Sequence, residues 1–542
     1  MKTTALLNGE VITVNSKNEV FEACLIEENK IAAVGTTEEI KKYITASTEV
    51  IDLHGRSVLP GFIDAHMHLF LYGNTLMHLD CKNPTINSID ELKDKLADIV
   101  QNTKNGQIIR VFGFNELMVK EQRYPTIDEL DELTQEHPIV ITRTCGHIGI
   151  VNSTALKIAK IDSSTPNPKG GTIEKDNNGR FTGRLIENAF LEFNQNVTYS
   201  YEELFNALMK AQEQLFAYGI TSVHDAGGFD ENSFRKMQIA SNNKQLKARV
   251  YALIGSLNDC ENFTKNMLAA GVMTNTGNDF FKIGPAKLFT DGSSTGPTIA
   301  TREPYTSDGN NYGYLQYTEE ELYSIFSSAH RNGYQITVHA QGDRAIEQYL
   351  NVIEKILNEF PRDDHRHRVE HLGVCPPDLQ EKAKALNVIP ILNPSFPYEF
   401  GESYICNYGE RINYMYAASD LLNQGIITAA GSDAPITTVN PLVGIYTAVT
   451  RLTRQNTAFG QQQRVSLMDA IRMYTYNGAY ASFDEDSKGS IESGKLADLV
   501  ILNTSILDCH VEDLLDIKVD STILNGEIVY SNQFEEWSVG SK

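Results

Sequence analysis

At 542 residues the chain is too long for one small domain and long enough for a large barrel with additions. Its 41% hydrophobic and 22% charged residues are those of a folded globular protein, and no stretch nears the roughly 20 apolar residues of a membrane span. The formal charge of −23, from 70 acidic and 47 basic side chains, argues against nucleic acid or an anionic membrane as a partner. The first ten residues lack the apolar core of a secretory signal, so the cytoplasm is the expected compartment. Seven cysteines, at 24, 81, 145, 260, 375, 406 and 509, are scattered and include no Cys-x-x-Cys, and they read as reduced, mostly buried thiols.

In chain order, residues 1–60 read as short strands with tight turns: Ala5–Leu7, Glu10–Val14, Ala23–Glu27, Lys30–Val34 and Glu49–Leu53. One short helix is expected near Thr37–Tyr43, and a Pro60-Gly61 turn closes the region. Eight longer strands follow: Phe62–His68, Ser222–Asp225, Arg249–Ile254, Ile283–Phe289, Gln335–His339, His367–His371, Val388–Asn393 and Ile426–Ser432. Amphipathic segments at Tyr201–Tyr218, Glu319–Asn332 and Asp343–Asn358 alternate with them, the last with Asp343 as its expected N-cap.

The first two of these strands are about 150 residues apart, far more than a crossover helix needs. Residues 75–200 are therefore expected to be an insertion, with a helix at Ile89–Gln101, a strand at Ile139–Thr144 and a hairpin from Pro166 to Gly183. Its place after the first strand puts it at the catalytic face, as a lid. Leu499–Leu502, Val519–Leu524 and Glu527–Tyr530 return to the short-strand style of the N-terminus. The expected architecture is α/β: a (β/α)8 TIM-type barrel over 61–480 including the insertion, with a composite β-sandwich built from 1–60 and 481–542.

The chemistry-bearing residues cluster at strand ends. His66 and His68 lie two apart on a strand, so both imidazoles leave one face. Lys287, His339, His371 and Asp433 each sit near the C-terminal end of a later strand, where barrel enzymes gather their catalytic groups. Taken singly, each has a plainer explanation. A strand-end histidine bonds a backbone carbonyl, Asp433 caps the turn into Ala434-Pro435, and Lys287 is an ordinary salt-bridged lysine beside a single metal. His147 stands between substrate contact and loop packing, whereas a histidine placed as His224 is more often a satisfied core histidine. His54, His78, His137, His330, His365 and His510 fall outside the pattern and read as surface or structural. Tyr72, Phe114 and Phe396 fit either an apolar pocket wall or the core. The glycines of Asp291-Gly292-Ser293-Ser294-Thr295-Gly296 permit close backbone approach to a ligand.

The chain resembles the amidohydrolase superfamily, specifically its amidohydrolase-3 branch, which includes N-substituted formamide deformylases. The resemblance runs through Leu59-Pro60-Gly61-Phe62-Ile63-Asp64-Ala65-His66-Met67-His68, Gly146-His147 with Asn152-Ser153, and Tyr218-Gly219-Ile220-Thr221-Ser222-Val223-His224-Asp225. It continues through Lys287-Leu288-Phe289-Thr290-Asp291-Gly292, His339-Ala340-Gln341-Gly342-Asp343-Arg344-Ala345 and Arg368-Val369-Glu370-His371. Gly431-Ser432-Asp433-Ala434-Pro435 and Gly494-Lys495-Leu496-Ala497-Asp498-Leu499-Val500 complete it.

The resemblance implies a hydrolase of non-peptide C–N bonds holding one or two Zn²⁺ or other divalent ions. His66, His68 and Asp433 would hold the more buried metal and His339 and His371 the more exposed one, with a CO2-derived carbamate on Lys287 bridging them. Asp433 would then be general base and acid for a metal-activated hydroxide. His147, His224, Asp291 and Asn393 are the substrate-contact candidates. Many members of the branch carry glutamine before the proline where this chain has Asn393-Pro394. The expected substrate is a small molecule, plausibly an N-acyl or N-formyl amine. A cyclic amide hydrolase, a mononuclear heterocycle deaminase and a metal-free scaffold protein are the alternatives. Deaminases usually carry a glutamate shortly after the fifth-strand histidine, where Ala340-Gln341-Gly342-Asp343 stands here. A homodimer is the default symmetric assembly.

Overall fold

Eight parallel strands in chain order form the central sheet of the computed structural model, which describes residues 2–532 except 82–85, 145, 147, 169–170, 198, 229 and 258. They are Phe62–Met67, Ile220–Asp225, Arg249–Ile254, Phe281–Phe289, Ile336–Ala340, Arg368–His371, Ile389–Leu392 and Ala429–Ala430. The first three are buried along their whole length. A parallel sheet curled on itself and covered by helices is dry on both faces, so its strands read as apolar runs. Asp433 N donates to His66 O at 2.6 Å and His68 N to Ala434 O at 2.9 Å, which joins the end of the eighth strand to the first. The fold is the (β/α)8 barrel expected from the sequence.

The eighth strand is shorter than the expected Ile426–Ser432. After Ala430 the chain leaves the ladder, and Asp433 adopts φ 56°. A Cβ on Gly431 would lie 2.4 Å from His66 N, so only glycine lets this segment run so close to the first strand. Pro60-Gly61 is no turn. Ser57–Pro60 is a strand, and Gly61 N donates to Asp498 O at 2.8 Å on the way into the barrel.

The outer helices follow their sequence signals. Thr318 and Glu321 form a capping box at the start of Glu319–Arg331. Asp343–Glu359 buries Ile346, Tyr349, Leu350, Ile353 and Ile356, a stripe at helical spacing. Its N-cap is Gly342 rather than Asp343. Asp343 stands in the first turn and accepts the Arg302 N–H at 2.8 Å, so the preceding loop claims the carboxylate.

Both termini build the sandwich. One sheet orders Lys30–Gly35, Ala23–Glu27, Thr3–Leu7 and Glu49–Asp52; the other orders Glu527–Ser531, Val519–Leu524, Leu499–Leu502, Ser57–Pro60, Glu10–Ile12 and Val20–Phe21. Ser57–Pro60, the strand that the sequence hides, joins the two ends: it runs parallel to Glu10–Ile12 and antiparallel to Leu499–Leu502. Leu6, Val11, Ile26 and Val58 share one core with Ala497, Leu499, Ile501 and Ile523.

By contacts the chain divides into Met1–Leu69 with Ala211–Lys542, and Phe70–Lys210. The second unit has its own six-stranded sheet, ordered Gly171–Lys175, Phe181–Glu187, Ile148–Val151, Ile139–Arg143, Ile109–Phe114 and Leu79–Asp80. Val140 packs on one face with Phe190 and Phe193, while Ile139 and Ile141 pack on the other with Leu92 and Leu96. Phe114 belongs to that second core rather than to a pocket wall. Six described cysteines are free thiols; Cys24 and Cys375 are buried, Cys406 is exposed and Cys81, Cys260 and Cys509 lie between, so most are less buried than expected. Among the described residues no helix is long and apolar enough to cross a membrane.

Candidate metal centre

The C-terminal ends of the barrel strands bring His66, His68 and Asp433 together. The Nε2 atoms of both histidines lie 3.4 Å from Asp433 Oδ1, and the three donors fall within 4.8 Å of one another. His66 and His68 project together because they sit two apart on one strand. Asp433 reaches them through its left-handed backbone, a conformation few non-glycine residues adopt.

His371 and His339 continue the cluster. The His371 ring centroid lies 4.6 Å from that of His66 and 4.5 Å from that of His339. Lys287 is completely buried on the fourth strand, and its Nζ donates to Ala226 O at 3.0 Å. Burial pushes its amine below the ordinary lysine value.

Each of the four histidines gives one ring nitrogen to the protein, and the partner decides which. His66 Nδ1 faces Glu370 Oε2 at 2.5 Å, and His68 Nδ1 faces Gly227 O at 2.9 Å. His339 Nε2 faces Gly292 O at 2.8 Å, and His371 Nδ1 faces Asn393 Oδ1 at 2.7 Å. All four partners are acceptors, so these nitrogens carry the protons. Nε2 of His66, His68 and His371, and Nδ1 of His339, are left as bare lone pairs. Burial holds all four rings neutral, pushing His68 down to about 3 and His339 to about 4. Neutral imidazoles beside a carboxylate are a donor set that suits Zn²⁺ and similar divalent ions.

Three of the expected substrate contacts lie beneath this layer. Asn393 is fully buried, accepting from His371 and donating to Gly431 O at 3.0 Å. Asp291 accepts backbone N–H groups from Ala300, Gln341 and Gly342 at 2.8–3.1 Å, and burial raises its carboxyl to about 7. His224 is fully buried and accepts from Arg368 through Nδ1 at 2.9 Å, because a guanidinium only donates. All three are as deeply buried as the candidate ligands and bond to the strands and loops that carry them. His147 lies outside the described residues. Of the two glycines in the Asp291–Gly296 loop, Gly292 serves the loop's own packing, since a Cβ there would meet Thr298 Oγ1 at 2.3 Å, whereas one on Gly296 would meet nothing within 4 Å.

Sequence reasoning missed a buried polar layer under the ligands. Asp64 accepts from Ser432 Oγ at 2.5 Å and Ser432 N at 3.0 Å, tying the first strand to the eighth. Glu370 takes Thr337 Oγ1 at 2.7 Å and Arg368 Nε at 2.9 Å on Oε1, and Arg368 NH2 at 3.0 Å on Oε2. Burial pushes the Glu370 carboxyl up, but Arg368 and Lys287 outweigh it and hold the group below its ordinary value. Strand alternation would send Glu370 and His371 to opposite faces. With His371 at φ 74° the chain turns, and both engage the His66 ring.

The sequence matches the model of the amidohydrolase family over residues 49–530. It is 28% identical to an N-substituted formamide deformylase of Arthrobacter pascens, with 98% of each chain covered. It is 29% identical to a putative amidohydrolase of Bacillus subtilis, over 96% of this chain and 98% of that one. A metal-dependent hydrolase of unassigned activity from Pyrococcus horikoshii superposes with a TM-score of 0.80 at 26% identity, covering 94% of this chain and 99% of that one.

Proposed function

The chain belongs to the amidohydrolase family, whose members include metal-dependent hydrolases of C–N bonds, and from that premise we propose that it hydrolyses the acyl–nitrogen bond of an N-acyl or N-formyl amine. The observation that carries this is the convergence of bare nitrogens from His66 and His68 on the Asp433 carboxylate, within 4.8 Å. A full-length relative that deformylates N-substituted formamides supports the substrate class.

In this proposal His66, His68 and Asp433 hold one divalent ion, and His339 and His371 offer two further lone pairs. A divalent metal bound there supplies Lewis acidity toward a carbonyl oxygen and acidifies a water. Asp433 takes the proton of the attacking water and returns it to the leaving nitrogen, base then acid. Lys287 is proposed to carry the carbamate: its uncharged amine adds carbon dioxide, an N–C bond forms and one proton is released. Burial favours that uncharged amine. The change would put an anionic group in place of a neutral buried amine beside the candidate ligands.

The test is hydrolysis of a panel of N-formyl amines, N-acyl amines, cyclic imides and aminated heterocycles by metal-stripped and Zn²⁺-restored protein. Cleavage of formyl or acyl amines, lost on stripping and regained with Zn²⁺, supports the proposal. Activity only on rings moves the function to a cyclic amidohydrolase or a deaminase. The latter would work without the usual glutamate, because Gln341 stands there with its amide oxygen accepting from Tyr416 OH at 3.0 Å. Intact mass under bicarbonate, 44 Da above the untreated chain and absent in Lys287→Ala, is the expected mark of the carbamate, whose added mass is about one CO2.

A further inference from the structure

Of the four ligand histidines, His66 has an acceptor unlike the others. His68 and His339 donate to backbone carbonyls and His371 to an amide, whereas His66 donates to a carboxylate at 2.5 Å. His339 Nε2 also lies 3.4 Å from Asp291, but its hydrogen bond goes to Gly292 O at 2.8 Å. The carboxylate of Glu370 is completely buried, as is Arg368 opposite it. An ion pair removed from water gives up much of its hydration, and it stays favourable only when nearly every polar atom is bonded. Here that condition is met. Glu370 receives Thr337, two guanidinium nitrogens and His66. Arg368 gives its other bonds to His224 Nδ1 at 2.9 Å and to Ala65 O at 2.8 Å, the carbonyl just before His66. The pair therefore grips His66 twice, by the ring and by the backbone.

We propose that Arg368 and Glu370 form a positioning relay for the metal centre, with Glu370 fixing His66 as its Nδ1–H tautomer and enriching Nε2, and Arg368 holding the Glu370 carboxylate in place through two hydrogen bonds. Neither residue touches the ion or the substrate. Glu370 faces Nδ1, on the far side of the ring from the Nε2 that approaches Asp433. Partners of this kind fix ring orientation, raise ligand basicity and typically change metal affinity by about 10–100-fold. The inference rests on the metal-centre assignment above, and its test is built to separate the two.

The full-length chain is labelled with 15N-histidine, stripped of metal, and titrated with Zn²⁺ against a competing chelator. In the metal-free wild type His66 should show a protonated Nδ1 and a bare Nε2; an Nε2–H tautomer overturns the relay. Glu370→Gln keeps an oxygen for His66 but removes the charge. It should bind Zn²⁺ about 10–100-fold more weakly, with the His66 nitrogen shifts moved and those of His330, His365 and His367 unchanged. A merely structural role would leave the His66 shifts in place. Affinity within twofold of wild type overturns the relay while leaving the metal centre standing. Wild type and His66→Ala binding Zn²⁺ equally would instead sink the metal centre and the relay with it. If Glu370→Gln does not fold, the wild-type tautomer decides.

Discussion

His330, His365 and His367, near the N-terminal end of the barrel, are 4%, 3% and 0% exposed, as deeply buried as the 1%, 6% and 1% of His66, His68 and His371. Burial pushes all six below the ordinary imidazole value. The difference lies in the lone pairs. His367 Nδ1 accepts from Ile336 N at 3.1 Å, so its Nε2 donates to His330 Nδ1 at 2.9 Å, and His330 Nε2 donates on to Phe360 O at 2.7 Å. His365 accepts from His367 N at 2.9 Å and donates to Leu386 O at 3.0 Å. Every nitrogen in this group is committed to the protein. At the other end each ring keeps one nitrogen bare. Burial and a depressed pKa are common to both groups; converging, uncommitted lone pairs set the candidate metal centre apart.

The comparison breaks most sharply on catalysis. Asp433→Asn should reduce hydrolysis about 10²–10⁴-fold in steady-state assays, the range for losing a positioned acid–base. His367→Gln should keep wild-type turnover per folded chain; an equal loss in both would erase the distinction. Metal content is the next measure. His68→Ala should lose most bound Zn²⁺ by elemental analysis, while His365→Ala retains it.

Stability should reverse the ranking. His367→Leu leaves Ile336 N–H buried without its acceptor and His330 without its donor, costing about 1–3 kcal/mol per stranded group. Its denaturant midpoint should therefore fall. A midpoint equal to wild type would show that the N-terminal histidines are not the scaffold described.

The last check is pH dependence. An unfolded histidine binds its proton near 6.5, but folded His365 does so only near 4 and His68 near 3. Between those values the unfolded chain holds more protons at these rings, so their contribution to the stability of the metal-free protein shrinks as pH falls from about 6.5 toward 4, while Asp291, raised to about 7 when folded, contributes in the opposite direction. A Tm gap between wild type and His365→Ala that stays level across that window in the presence of chelator contradicts the neutral-ring assignment.

Much of the barrel was legible because its strands are apolar runs, five of which close on a candidate metal ligand. Arg249–Ile254 matched to the residue, and the others shifted by a few positions at their ends. Ser57–Pro60 escaped because proline and glycine together read as a turn, whereas here Pro60 ends a strand and Gly61 packs so close to Thr221 that a Cβ would sit 2.4 Å from its side chain. Asn393, Asp291 and His224 were legible as special, but their hydrogen-bond partners were not, since those come from distant strands. Asn393 meets His371 across 22 residues, and Arg368 meets His224 across 144.

The sequence by itself determined the fold class and the order His66, His68, Lys287, His339, His371, Asp433, because apolar patterning and strand-end placement are local properties of the chain. Tertiary structure alone decided which nitrogen of each imidazole is bare, and that Glu370 stands behind His66. A tautomer is set by whichever acceptor lies opposite the ring, and the positive φ at His371 and Asp433, which their residue types tolerate better than most, is seen only in the folded backbone.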